Sequence, residues 1–169
     1  MADRGVFFAL NPLVEPKLLA APDDYALLGI IQADLEEDWD EDWLQDVEDA
    51  WDAIHRCLGD GSLRCKSGAL LEKCVLGGRQ LHKGLEYTAS YLTPKEVKEI
   101  ARELQPITRE QFRERYFGLK KRSLFHPYGY ERPIDQKGFE TAWTYLIATR
   151  IFFQKVAQAG MGMVFTVDR

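Results

Sequence analysis

Basic residues are missing from one long part of this 169-residue chain. Between Leu18 and His55 there is no lysine or arginine, although the whole sequence has 22, and the same part contains thirteen acidic residues. The net charge of −5 therefore combines one acidic segment with a remainder in which basic residues are in excess. An acidic surface repels nucleic acid and attracts cations or basic proteins. We therefore expect a basic protein partner and no nucleic-acid partner.

Long apolar runs are also missing. No window approaches the roughly 18 uninterrupted apolar residues that a membrane span requires. The N-terminus has only Arg4 before a short apolar run interrupted by Pro12 and Pro16, which is a poor match to a secretory signal. From these two absences we expect a soluble, cytoplasmic protein with no membrane partner.

Cysteine and histidine are scarce, with three of each. An odd number of cysteines, spaced eight and nine residues apart, fits neither a disulfide framework nor a zinc knuckle. No pair of histidines has the spacing of a helical zinc motif, and no nucleophile elbow, phosphate-binding glycine loop or dinucleotide fingerprint occurs. We therefore expect no metal, no cofactor and no enzymatic activity. The residues concerned are Cys57, Cys65, Cys74, His55, His82 and His126.

The acidic segment is concentrated in residues 34–52, DLEEDWDEDWLQDVEDAWD, which contain eleven carboxylates and three tryptophans. Carboxylates four residues apart on a helix repel each other by about 0.2–0.5 kcal/mol per pair, so this composition costs stability. A calcium loop is disfavoured because the mid-loop glycine and terminal glutamate of an EF-hand are missing. Two interpretations stay open: a solvated face that only keeps the chain in solution, or a protein-binding surface.

The tryptophans favour the second interpretation. Trp39 and Trp43 lie four residues apart among carboxylates, and aromatic anchors ringed by charge are typical of interface hot spots. An acidic field would also accelerate association with a basic partner. Partial burial of both indoles against a neighbouring helix is the alternative. The predicted partner-binding residues are Asp34, Glu36, Glu37, Asp38, Trp39, Asp40, Glu41, Asp42, Trp43 and Asp46.

The hydrophobic pattern predicts about five helices and about three or four strands. One helix is predicted by an apolar stripe that ends before Gly59, and another by the capping box Thr93-Pro94-Lys95-Glu96. Apolar runs at both ends of the chain, GVFFAL and MGMVFTV, predict strands that close a small sheet under the helices. We expect one α+β domain over residues 1–169. The residues of the apolar stripe are Leu44, Val47, Trp51, Ile54 and Leu58.

Three sequence motifs together resemble the YfbM-like family, a bacterial domain of unknown function. The motifs are DVEDAWDAIHRCLGDG at residues 46–61, LGGRQL at 76–81 and YLTPKEVKEI at 91–100. They match the family's W-x-x-I-H, G-G and Y-L-T-P-x-E-V elements in order. The resemblance implies a single α+β domain and supplies no catalytic residues. The resemblance also implies a role as an immunity protein that acts beside a secreted toxin, as in some relatives. The acidic residues 36–42 depart from the family pattern.

The resulting hypothesis is an immunity protein that neutralises a cognate toxin, with a nuclease as the favoured target. A nuclease presents lysines and arginines to phosphates, and a carboxylate cluster could occupy that groove. The alternative is a small enzyme or ligand-binding protein with a pocket near Trp51, His55 and Tyr91, in which the histidine acts as a general base. A structural adaptor without a toxin also stays open. The sequence assigns no role to the basic cluster Lys120, Lys121 and Arg122.

Overall fold

The computed structural model describes residues 3–123 and 132–168 of the chain. Within them the chain forms six α-helices and five β-strands, which confirms the α+β class. The strands are β1 (Arg4–Leu10), β2 (Leu44–Glu48), β3 (Arg79–Lys83), β4 (Tyr87–Leu92) and β5 (Gly162–Asp168). The helices are α1 (Val14–Leu19), α2 (Asp24–Ile31), α3 (Ala50–Leu58), α4 (Pro94–Leu104), α5 (Arg109–Ser123) and α6 (Gln136–Gln158). A π-helical turn (Gln32–Glu36) continues α2, and a 3₁₀ turn (Leu70–Lys73) precedes β3.

The two terminal strands lie at the centre of the sheet. The strand order is β2-β1-β5-β4-β3, and every pairing is antiparallel. β1 and β5 pair along their whole length, from Arg4 opposite Asp168 to Leu10 opposite Gly162. The expected sheet formed partly by the chain termini is therefore confirmed.

Both faces of the sheet are covered, which explains why β1 is almost continuously apolar. Phe7 points to the first face, where it joins the core formed with α3, α4, α5 and α6. Phe8 points to the second face, where it joins a smaller core formed with α1, α2 and the π-helical turn. Successive residues of a strand alternate between faces, so each strand supplies both cores.

The capping box predicted at the start of α4 is confirmed. The backbone N–H of Glu96 donates to Thr93 Oγ1 at 3.2 Å, and the backbone N–H of Thr93 donates to Glu96 Oε2 at 3.0 Å. The apolar face of this helix is buried as predicted. None of the described helices is long and apolar enough to cross a membrane.

The helix predicted from Leu44 to Leu58 is wrong in its first part. Residues Leu44–Glu48 form β2 at one edge of the sheet, and α3 begins only at Ala50. Glu48 has a φ of 46°, so the backbone turns sharply between the end of β2 and the start of α3. Leu44 packs on the second face and Val47 on the first. Their three-residue spacing matched a helical stripe although they lie on opposite faces of the sheet.

The described residues also form one strand more than the three or four that the sequence predicts. β3 follows Gly78 at the other edge of the sheet. The two glycines before it predict a turn, and the sequence predicts no strand after them. Its mixed polar sequence, RQLHK, is largely exposed and lacks the apolar alternation that identifies a half-buried strand. The short helix α1 was likewise not predicted, because Pro16 lies inside it.

Candidate protein-binding surface

Residues 37–43, here called the acidic turn, connect the π-helical turn to β2. The turn is fixed by its backbone: the N–H of Trp39 donates to Leu35 O at 3.1 Å, and the N–H of Ala9 in β1 donates to Trp43 O at 2.9 Å. Inside the turn, Asp40 Oδ1 accepts from the N–H of Asp42 at 3.1 Å. Trp39 has a φ of 41°. Residues 39–43 are therefore not helical, and the four-residue spacing of Trp39 and Trp43 does not place their indoles on one side.

The two indoles diverge to opposite faces of the sheet, and both are half-buried. Trp39 packs on the second-face core, with its ring centroid 6.0 Å from that of Phe8. Trp43 packs on the first-face core. Each indole also contacts a cation of this chain: the Arg4 guanidinium carbon lies 4.9 Å from the Trp39 centroid, and Lys155 Nζ lies 4.5 Å from that of Trp43. The indoles thus anchor the acidic turn from both sides.

Three of the predicted binding carboxylates already have partners inside the chain. Asp34 Oδ2 lies 2.5 Å from Lys17 Nζ, and Asp46 Oδ2 lies 2.5 Å from Arg4 Nη2. Glu36 Oε1 accepts a hydrogen bond of 2.7 Å from the Tyr87 hydroxyl. These three residues hold the segment in place, a role that their charge alone did not indicate.

The five other predicted carboxylates are exposed on the acidic turn. Within residues 3–123 and 132–168, none of their side chains forms an ion pair. Their negative charge is therefore presented to solvent from an ordered backbone. They are Glu37, Asp38, Asp40, Glu41 and Asp42.

Two tyrosines of β4 fasten the small second-face layer to the sheet. Tyr87 donates to Glu36 in the π-helical turn, and Tyr91 donates to Glu15 in α1. Burial and the neighbouring carboxylates raise the pKa of both phenols, so both remain protonated donors. These contacts join residues distant in sequence, and sequence reasoning did not find them.

A cleft, here called the acidic cleft, opens between the acidic turn and the adjoining end of the sheet. Its apolar lining includes Phe8, Trp43 and Met161. Its acidic lining is formed by Asp34, Asp38 and Asp40. Since Asp34 is paired with Lys17, Asp38 and Asp40 are the acids of the cleft that have no cationic partner among the described residues. The cleft combines an apolar surface with two exposed negative charges.

The residues of the alternative pocket are not brought together by the fold. Trp51 belongs to the first-face core and Tyr91 to the second, so the sheet separates them. His55 is 1 % exposed, and burial lowers its pKa to about 4. The backbone of Leu63 offsets part of this decrease in pKa, and among the described residues neither ring nitrogen of His55 has a hydrogen-bond partner.

Among the described residues, no three His, Cys, Asp or Glu side chains are arranged to hold a metal ion. His82 Nδ1 lies 3.1 Å from Asp24 Oδ2 on the surface. His126 and the side chains of Lys120, Lys121 and Arg122 lie outside the part of the chain that the structure describes.

Comparisons with known proteins agree with the resemblance seen in the sequence. The family model described as a domain of unknown function (DUF1877) matches residues 1–166. The crystal structure of YfbM, a protein of unknown function from Escherichia coli, superposes with a TM-score of 0.74 at 15 % identity. The match covers 97 % of this chain and 99 % of that chain, so the two share a fold. No curated protein matches this chain.

Proposed function

This chain belongs to the DUF1877 family of domains of unknown function, and we propose from its surface that it is an immunity protein. In this role it binds a cognate secreted toxin in the cytoplasm and blocks the toxin without catalysing a reaction. The partner is a basic protein, and the acidic turn is the contact surface. A nuclease is the favoured class of toxin.

One observation carries the proposal: five exposed carboxylates project from a turn whose backbone is fixed on both sides. The charges need no large rearrangement to meet a partner, which lowers the entropic cost of binding. Clustered charge of one sign also steers an oppositely charged protein and raises its association rate. A face that only keeps a protein in solution needs neither a fixed backbone nor segregation of one charge.

The chemistry of nucleases makes them suitable partners for this surface. An enzyme that acts on nucleic acid presents lysine and arginine side chains to phosphate groups. Carboxylates at comparable positions can occupy the same groove and exclude the substrate. Nuclease and immunity-protein pairs are among the tightest protein complexes known.

The test uses the protein that co-purifies with this chain from its native host. One variant neutralises four carboxylates of the acidic turn, Glu37→Gln, Asp38→Asn, Glu41→Gln and Asp42→Asn. Asp40 is kept because its carboxylate fixes the backbone of Asp42. A control variant makes the same change of net charge elsewhere, with glutamine replacing the exposed residues Glu86, Glu103, Glu110 and Glu114.

We expect the acidic-turn variant to associate about tenfold more slowly, and to lose most of the salt dependence of the association rate. The control variant should change the rate by about threefold or less. If the partner is a nuclease, its activity should be blocked by the native chain and restored in part with the acidic-turn variant. Equal association rates and equal salt dependence for all three proteins would refute the proposal.

A further inference from the structure

We propose that the acidic cleft receives one lysine side chain of the basic partner. This inference rests on the proposed function and names the chemical group that the surface recognises. The apolar lining of Phe8, Trp43 and Met161 suits the methylene stem of a lysine, and Asp38 and Asp40 suit its ammonium group. The cleft would therefore add apolar contacts to a surface whose other exposed groups are carboxylates.

The chain itself shows that the Trp43 end of the acidic turn can hold a lysine ammonium. Lys155 Nζ lies 4.5 Å from the centroid of the Trp43 indole and donates a hydrogen bond to the carbonyl oxygen of Asp42. Lys155 is not among the residues that line the acidic cleft. Trp43 therefore contacts Lys155 with one part of its surface and leaves another part to line the cleft. An ammonium group in the cleft would meet the same indole. It would also meet the carboxylates of Asp38 and Asp40, where Lys155 has only a backbone carbonyl.

A metal ion is a poorer occupant than a lysine. Hard cations such as Ca²⁺ and Mg²⁺ prefer a shell of six or more oxygen ligands. Most of the residues that line the acidic cleft are aromatic or aliphatic, and the described residues include no group of His, Cys, Asp and Glu side chains suited to a metal. A side chain that is apolar along its stem and charged at its tip matches both parts of the lining.

The first experiment tests whether binding depends on the length of the methylene stem that carries the ammonium group. Two probes carry the same formal charge: a hexalysine peptide, and a hexapeptide of 2,4-diaminobutyrate whose side chains are two methylenes shorter. Binding is followed by NMR through the indole N–H signal of Trp43. The native chain should bind hexalysine about fivefold or more tightly than the shorter peptide, because only the longer stem covers the apolar lining. Equal affinities for the two peptides would overturn the proposal.

The second experiment compares two double variants with the same change of charge. Asp38→Asn with Asp40→Asn alters the acidic cleft, and both asparagines keep an oxygen acceptor at the site. Glu37→Gln with Glu41→Gln alters exposed carboxylates of the same turn that do not line the cleft. The cleft variant should bind hexalysine about tenfold more weakly and lose the preference for the longer stem. The control should weaken binding by about threefold or less.

Failure of this inference can be told apart from failure of the proposed function. With the co-purified partner as probe, equal weakening by the two double variants would overturn the lysine cleft and leave the acidic turn as the contact surface. If the variant with four neutralised carboxylates in the acidic turn binds the partner as the native chain does, the proposed function itself is wrong. Thermal unfolding of each variant, monitored by circular dichroism, checks that the fold is intact.

Discussion

Lys155 joins the last turn of α6 to the acidic turn by contacting Trp43. Its Nζ lies over the indole ring at 4.5 Å from the centroid and donates a hydrogen bond to the adjacent carbonyl of Asp42. A cation at the C-terminal end of a helix is also stabilised by the helix dipole. One lysine thus ties the first-face helices to the turn that carries the exposed carboxylates.

Replacing Lys155 by methionine should lower the free energy of unfolding by about 0.5–1 kcal/mol, the usual size of an exposed cation–π contact. Lys155→Arg keeps the charge and should retain most of the stability. Urea denaturation measures both. A double-mutant cycle with Trp43→Leu isolates the contact from the helix-dipole effect, and a coupling energy near zero would contradict the expectation.

Tyr87 holds the π-helical turn, which leads into the acidic turn, through a hydrogen bond to Glu36. Tyr87→Phe removes the 2.7 Å hydrogen bond and leaves a partly buried carboxylate without that donor. We expect the free energy of unfolding to fall by about 1–2 kcal/mol. The same substitution at Tyr25, which is 91 % exposed, is the matched control and should change stability by less than about 0.5 kcal/mol. Equal effects at the two positions would show that the hydrogen bond contributes little.

Elements encoded by neighbouring residues were predictable from the sequence. The capping box at Thr93 and Glu96 satisfies helix-terminal groups within one turn, so the motif is visible without tertiary information. The terminal strands β1 and β5 are apolar on both faces and therefore stand out as continuous runs. Their pairing followed from the expectation that two extended ends share one sheet.

Elements defined by distant contacts could not be predicted in the same way. β2 is a strand because it pairs with β1, and its residues Leu44 and Val47 fit a helical stripe equally well. The separation of Trp39 from Trp43 depends on a left-handed backbone at Trp39, which is rare for a bulky residue. Likewise, Asp34, Glu36 and Asp46 differ from the five exposed carboxylates only through partners far along the chain.

We expect His55 to make the stability of the fold dependent on pH. Burial lowers its pKa from 6.5 to about 4, so between these values the unfolded chain binds a proton that the folded chain does not. Stability is therefore fully present above pH 6.5 and falls as the pH decreases towards 4. A pKa shift of this size corresponds to a decrease of about 3 kcal/mol in the free energy of unfolding between pH 6.5 and pH 4.

The pH dependence can be assigned to His55 by urea denaturation at several pH values. His55→Gln should flatten the decrease between pH 6.5 and 4, whereas His82→Gln should leave the contribution of His55 in place. If His55→Gln does not fold, an NMR titration of the His55 ring in the native protein gives the pKa directly. A value near 6.5 in the folded chain would contradict the expectation.

Gly78 allows β3 to pair closely with β4. Its φ is +75°, and a Cβ at this position would lie 2.3 Å from the carbonyl oxygen of Tyr91. Gly68 has a similar φ of +72° but no atom within 4 Å of a Cβ. Alanine at Gly68 therefore introduces only the backbone strain, about 1 kcal/mol, whereas alanine at Gly78 adds a clash with backbone. We expect Gly78→Ala to lower the free energy of unfolding by about 2–4 kcal/mol. Chemical denaturation of the two variants gives the difference, and equal losses would show that the close approach of the strands is not what requires glycine.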